Sequence, residues 1–186
     1  MARTLTNQIP LGFKAIDFKL TDVVSDKKVS LEDVTMKNGL VVMFICNHCP
    51  YVKAIIHDLV EDCNYLFNYG IRSVAIMSND TNNYPEDSFE NMIKFADNNK
   101  FGNIEYLIDE TQEIAKKYNA VCTPDFFGYN KNSELQYRGR IRELKDLKPI
   151  KNGDSDLRNA MMMISESGKG PKKQIPSMGC SIKWFN

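Results

Sequence analysis

Five cysteines are spread through the 186-residue chain, and two of them stand close together in Cys46-Asn47-His48-Cys49-Pro50. Two residues between two thiols put the second sulfur about one turn from the first, close enough to attack a mixed disulfide that the first has made. The run before the pair, Leu40 to Ile45, is wholly apolar, and the run after Pro50 is amphipathic. The pair therefore sits where a buried strand gives way to a helix. Unpaired N–H groups and the helix dipole stabilise a thiolate at such a junction, and the spacing predicts that thiolate on Cys46, with Cys49 as the resolving thiol. His48 between them adds positive charge when protonated and lowers the thiol pKa further, and Lys53 contributes charge at longer range.

Two plainer uses of the sulfur compete. A structural zinc site needs a second pair of ligands at knuckle spacing, whereas Cys63, Cys122, Cys180 and His57 are scattered singly. Two inert buried thiols do not explain the strand-to-helix placement. Five thiols cannot all pair within one chain, so a secreted scaffold fully stapled by disulfides is excluded. Cys63 falls on the apolar stripe of the helix and is expected in the core. Cys122 stands two residues before Pro124, near the pair or simply packed. Cys180, in Gly179-Cys180-Ser181, either packs under Trp184 and Phe185 or serves as an additional redox thiol. His57 reads as a surface or packing residue. Met161-Met162-Met163 reads as helix packing, because adjacent helical residues do not face one metal ion.

The elements that must hold this chemistry can be read from periodicity. Val52, Ile55, Ile56, Leu59, Val60, Cys63, Leu66 and Phe67 recur at three and four, predicting a helix from Pro50 to Tyr69 with Gly70 as its left-handed cap. A short strand follows at Ile71–Met77, then a polar loop to Asp87, a helix over 88–99, a strand at Tyr106–Ile108 and a helix over 111–118. Asp125–Tyr129 and Leu135–Arg140 form a hairpin signal, and Leu157–Ser165 a last helix. Residues 167–186 read as an irregular tail. The expected fold class is α/β, a central mixed β-sheet flanked by helices, in a single domain over 1–186. Lys plus Arg and Asp plus Glu number 24 each, which excludes a strongly basic nucleic-acid binder or a polybasic membrane protein. No apolar segment approaches the roughly 20 residues needed to span a bilayer, and no leader-type run opens the chain. A cytoplasmic location is expected, with no nucleic acid or membrane as partner and no cofactor.

A second motif completes a pattern. Val121-Cys122-Thr123-Pro124-Asp125 precedes a strand, and its Thr-Pro bond is of the type that can be cis. With the strand–Cys-x-x-Cys–helix unit, the chain resembles the thioredoxin-fold redoxins, in the peroxiredoxin-like branch related to alkyl hydroperoxide reductase and thiol-specific antioxidant. The resemblance runs through Phe18-Lys19-Leu20, Val29-Ser30-Leu31, Cys46 to Lys53, Ser78-Asn79-Asp80, Tyr84-Pro85-Glu86-Asp87, Asp109 to Gln112, Cys122 to Phe127, Tyr137-Arg138-Gly139-Arg140 and Gly179 to Trp184. It implies a thioredoxin-like fold with a peroxiredoxin-like N-terminal extension, and Thr123-Pro124 as the loop whose backbone meets a bound substrate. By the same resemblance, Cys49 matches the peroxide-reactive cysteine of peroxiredoxins, and Arg138 or Arg140 matches their peroxide-polarising arginine. The hydroxyl residue they carry three positions before that cysteine is Cys46 here, and their proline four residues earlier still is Val42. The acid that thioredoxins bury in the strand before the pair has no counterpart in Leu40–Ile45.

The leading expectation is a thiol–disulfide oxidoreductase that uses the Cys46/Cys49 dithiol on protein or small-molecule disulfides and is recycled by a thiol reductant. The rival enzyme is a thiol peroxidase with Cys49 attacking peroxide and Cys46 or Cys180 resolving the sulfenic acid. A third reading, from another class, is a Cu(I)- or Zn-binding protein using Cys46, Cys49 and His48.

Overall fold

The computed structural model describes residues 3–6 and 9–185. In chain order its strands are β1 (Arg3–Leu5), β2 (Lys19–Asp22), β3 (Lys27–Ser30), β4 (Gly39–Phe44), β5 (Ile71–Met77), β6 (Ile104–Ile108), β7 (Cys122–Thr123), β8 (Asp125–Tyr129), β9 (Leu135–Gly139), β10 (Leu144–Lys145), β11 (Lys148–Pro149) and β12 (Met178–Ser181). The helices are α1 (Leu31–Val34), α2 (Pro50–Asn68), α3 (Phe89–Asn98), α4 (Glu113–Lys117) and α5 (Asp156–Ser167), with a 3₁₀ turn at Pro85–Asp87.

Seven strands form the main sheet in the order β3-β2-β6-β5-β4-β8-β9. β4, β5 and β6 run parallel, and the remaining pairings are antiparallel. The mixed sheet and its flanking helices are the α/β architecture expected from the sequence. Hairpin β2–β3 supplies the N-terminal addition at one edge. The unbroken apolar character of β4 follows from its position. Val41, Met43 and Ile45 pack with Ile55, Leu59 and Leu66 of α2 and with Met161 of α5. Leu40, Val42 and Phe44 face the opposite layer, with Val34 of α1 and Ile114, Ala115 and Tyr118 at α4. A strand covered on both faces has no use for a polar position. α2 turns its apolar stripe to one of these layers and ends where Gly70 takes a φ of 72°, the left-handed cap that its spacing predicts.

Gly39 opens β4 at a φ of 143°, and a Cβ there would stand 2.6 Å from the Tyr129 carbonyl oxygen. Only glycine fits that approach between β4 and β8. Gly39→Ala is therefore expected to cost about 2 kcal/mol of stability or more, read as a lower urea midpoint. An unchanged midpoint would contradict the close packing described.

One sequence expectation needs correction. The segment 167–186 is not an irregular tail throughout: Met178–Ser181 forms β12, the middle strand of a separate antiparallel sheet, β1-β12-β7. Its partners are two and three residues long and lie far away in sequence, so no local period announces it. Through β7 this small sheet leads directly into Pro124 and β8, which is how it bears on the cysteine pair.

Candidate active site

Residues 45–49 carry the chain from the end of β4 to the start of α2. Pro50 occupies the first helical position, where its missing N–H is no loss. That fixes Cys49, not Cys46, as the residue at the helix N-terminus. The Cys46 thiol and the Val52 N–H both favour the ionised form of Cys49. The Cys180 backbone N–H and thiol also reach it from β12. The S–H of Cys46 does most to pull the Cys49 thiol down, burial works against it, and the N–H groups of Val52 and Cys180 add to the pull, so it settles at about 5. Cys46 moves the other way: donating to Cys49, lying buried, and facing the Asp87 carboxylate all push its pKa well up. It is thus Cys49, and not Cys46, that stands at the helix N-terminus and whose thiol is lowered, because the helix starts one residue after Cys49 and four after Cys46.

Thr123 and Pro124 lie beside the cysteine pair. Their peptide bond is cis. Thr123 touches both sulfurs: its Oγ1 is 3.3 Å from Cys46 Sγ, and its carbonyl oxygen is 3.2 Å from Cys49 Sγ, accepting the S–H when Cys49 is protonated. Beyond Pro124 lies a cavity of about 190 Å³ lined by Leu5, Ile55, Phe126, Ile141, Leu144 and Met178.

His48 is held by Asp87 and Tyr84. Its Nδ1 lies 2.7 Å from Asp87 Oδ2, and its ring stacks on Tyr84 at 5.5 Å between centroids. Asp87, fully buried, also accepts from the Asn47 N–H at 2.8 Å and from Asn79 Nδ2 at 2.7 Å. Burial pushes the Asp87 carboxyl up, but the bonds from His48, Asn79 and Asn47 outweigh it and hold it below the usual carboxylate range. The same contact with Asp87 raises the pKa of His48 against the effect of burial. His48 thus ties the loop between the cysteines to Asp87. Asn47 Oδ1 completes the network by accepting from Tyr106 Oη at 2.9 Å. Asp87, Asn79 and Tyr106 went unassigned in the sequence, since each acts across a long chain separation. The Tyr84-Pro85-Glu86-Asp87 motif was the available signal.

The remaining sequence candidates divide. Cys180 joins the site. Cys122, the next residue to Thr123, turns away, its Sγ 3.8 Å from the Pro124 carbonyl oxygen, and burial pushes its pKa up. Cys63 is buried in the core as expected, its thiol pushed up to about 12 by burial. His57 is exposed, and of the three methionines Met161 is buried while Met163 is exposed. Arg138 pairs at 2.8 Å with the buried Asp125 and lies over the Phe127 ring. Arg140 pairs with Asp156 at 2.7 Å and lines the cavity beside Pro124. Both guanidinium groups are thus held by carboxylates, one on β8 and the other on α5. A sulfur of Cys46, a ring nitrogen of His48 and an oxygen of Asp87 lie within 4.8 Å of one another, so the ligand set nearest to a metal site includes Asp87 in place of Cys49. Among the described residues no helix is long and apolar enough to cross a membrane.

A profile of the AhpC/TSA family matches residues 11–143. No curated protein sequence matches significantly. Among solved structures, an uncharacterized conserved protein from Geobacillus kaustophilus is 44% identical, with a TM-score of 0.94 over 100% of this chain and 97% of that one. A hypothetical protein from Sinorhizobium meliloti 1021 is 34% identical, with a TM-score of 0.89 over 98% of each chain. The thioredoxin domain of a thiol-disulfide oxidoreductase from Bacteroides vulgatus is 16% identical, with a TM-score of 0.59 over 70% of this chain and 89% of that one. That last likeness establishes the fold as thioredoxin-like.

Proposed function

The chain belongs to the AhpC/TSA family of thiol-dependent oxidoreductases, and we propose that it works there as a thiol–disulfide oxidoreductase with Cys49 as nucleophile and Cys46 as resolving thiol. The observation that carries this reading is the Cys49 sulfur at the N-terminus of α2 with the Cys46 thiol hydrogen-bonded to it. The Cys49 thiolate attacks one sulfur of a substrate disulfide and forms a mixed disulfide, while the other substrate sulfur leaves and takes up a proton. Cys46 then attacks Cys49 Sγ. The bond to substrate breaks, the departing thiolate takes the proton that Cys46 gives up, and a Cys46–Cys49 disulfide remains. A small-molecule or protein thiol reduces it to restart the cycle. Thr123-Pro124 lies beside both sulfurs and serves as the ledge on which the substrate backbone rests. The apolar cavity beyond Pro124 favours disulfides flanked by apolar groups. This activity is assigned to one redoxin unit over 1–186 acting in the cytoplasm, where a close thiol pair stays reduced until used.

A second reading, a thiol peroxidase with Cys49 attacking peroxide, is favoured by the same lowered thiol and by the family. Against it stand Cys46 in place of a hydroxyl residue and the pairing of Arg138 and Arg140 with carboxylates. Stopped-flow kinetics separates the two. Fast reduction of an insulin-type disulfide with slow reaction toward hydrogen peroxide is the expected result; fast sulfenic acid formation at Cys49 with peroxide turnover would replace it by the peroxidase reading. The metal reading rests on the Cys46, His48 and Asp87 cluster, and metal analysis after purification under reducing conditions checks it.

A further inference from the structure

Three thiols meet at this site, carried by three different parts of the chain. Cys46 lies in the loop after β4, Cys49 at the start of α2 and Cys180 in β12, and all three are buried. β12 runs antiparallel to β7 with Cys180 opposite Thr123. Thr123 is the residue that already touches Cys46 with its side chain and Cys49 with its carbonyl. The same pairing brings Cys180 to Cys49, and the two thiols hydrogen-bond.

The close approach is built into the sequence around it. A Cβ at Gly179 would collide with the Thr123 carbonyl and approach the Pro124 nitrogen at 3.0 Å, so only glycine lets β12 lie on the Thr123–Pro124 peptide. Beyond Cys180 the strand is fastened: the Ile182 N–H donates to the Val121 carbonyl at 3.0 Å, the Lys183 N–H to Asn79 Oδ1 at 2.9 Å, and the Phe185 N–H to Gln112 Oε1 at 2.9 Å. Ordinary core packing of a small apolar thiol calls for none of this. Cys63 is packed in that way, and burial is the chief influence on its thiol.

We propose that Cys49 is the shared sulfur of two alternative disulfides, one with Cys46 and one with Cys180, and that the second staples the C-terminal strand across the site. The inference rests on the dithiol reading above and adds a third member to it. Starting from the oxidised pair, Cys180 attacks Cys49 Sγ. The Cys49–Cys180 bond forms as the Cys46–Cys49 bond breaks, and the electron pair leaves on the Cys46 sulfur, which takes the proton that Cys180 gives up. Nothing is oxidised or reduced overall, since the oxidising equivalent entered with the substrate disulfide. Burial and the nearby Asp87 carboxylate favour Cys46 as the protonated product of this step. Hydrogen-bonded sulfurs need to close by only about 2 Å to reach bonding distance. The exchange moves the disulfide from within one loop to a bridge between α2 and β12, so β12 is held in one oxidised state and released in the other.

The test uses the full chain, reduced, freed of reductant and treated with one equivalent of diamide. After acid quenching and alkylation, disulfide-linked peptides are mapped by mass spectrometry over time. Wild type is expected to give both Cys46–Cys49 and Cys49–Cys180 peptides. Cys46→Ser should give Cys49–Cys180 as its main disulfide, and Cys180→Ser only Cys46–Cys49, with Cys63 and Cys122 alkylated throughout. If wild type closes Cys46–Cys49 without any Cys49–Cys180 peptide, and Cys46→Ser leaves Cys49 and Cys180 alkylated, the third thiol is refuted and the dithiol reading stands. Should Cys46→Ser fail to fold, the wild-type time course decides by itself. Wild type forming neither bond removes both readings.

Discussion

Cys49→Ser is expected to lose disulfide exchange on the order of a thousandfold or more, whereas Cys46→Ser combined with Cys180→Ser carries out the first attack and stops as a mixed disulfide with its substrate. The asymmetry follows from the start of α2. With Pro50 as the first helical residue, Cys49 is the N-cap of α2, and the Cys46 S–H and the Val52 N–H lower its thiol pKa. Serine at 49 has an alcohol in place of a thiol whose pKa is lowered to about 5. Serine at both 46 and 180 leaves the attacking sulfur in place and removes the two thiols that could release substrate. Intact-mass measurement after mixing with an excess of a small aromatic disulfide reads both outcomes. A stable adduct on Cys49→Ser, with none on the double variant Cys46→Ser, Cys180→Ser, would reverse the roles. The pH profile gives an independent check. Alkylation of Cys49 in wild type is expected to hold its full rate from alkaline pH down past 7 and to fall only on approach to about 5. A midpoint near the ordinary thiol value of about 8.5 would remove the thiolate from Cys49.

The second large effect falls on stability. Asp87→Asn is expected to cost about 3 kcal/mol, because Asp87 accepts from the Asn47 N–H, His48 Nδ1 and Asn79 Nδ2 while fully buried. An amide turns an NH₂ toward some of those donors and leaves His48 without a counter-charge. The pH dependence has a sign for each partner. The Asp87 pKa is lowered in the folded protein, so its contribution is complete above the unfolded carboxylate value of about 3.9 and is lost as pH falls through the lower folded one. The His48 pKa is raised, so its contribution is complete below about 6.5 and is lost as pH rises through the raised folded value. The deficit of Asp87→Asn relative to wild type should therefore be largest between about pH 4 and 6.5 and shrink on both sides. Urea unfolding of both proteins at pH 5, 7 and 9 measures it. The same deficit at all three pH values would uncouple Asp87 from His48.

Local pattern in the sequence carried the frame of the site but not its polarity. The apolar run in β4, the stripe of α2 and the glycine after it are written in adjacent residues, so strand, helix and junction could be placed. The junction also showed that the cysteine pair faces a helix N-terminus. Which sulfur occupies that terminus turns on one residue, Pro50, whose preference for the first helical position marks Cys49 as the cap. The support of the loop could not be read in this way. Asp87 meets Asn47 and His48 across 40 and 39 positions, and Tyr106 meets Asn47 across 59. No periodicity encodes such pairings. β12 was missed for a related reason, since four residues including a glycine carry no alternation and their partner β7 is only two residues long.

The place of β12 has a consequence for how the protein is made. The chain emerges from the ribosome amino end first, so Cys46 and Cys49 appear long before the strand that covers them. Throughout that interval the nascent pair lacks the roof that Gly179 and Cys180 later provide, and oxidants in the surroundings can reach it. Newly made protein is therefore expected to depend on a reducing environment more than the folded chain does, because β12 is synthesised after the pair it covers.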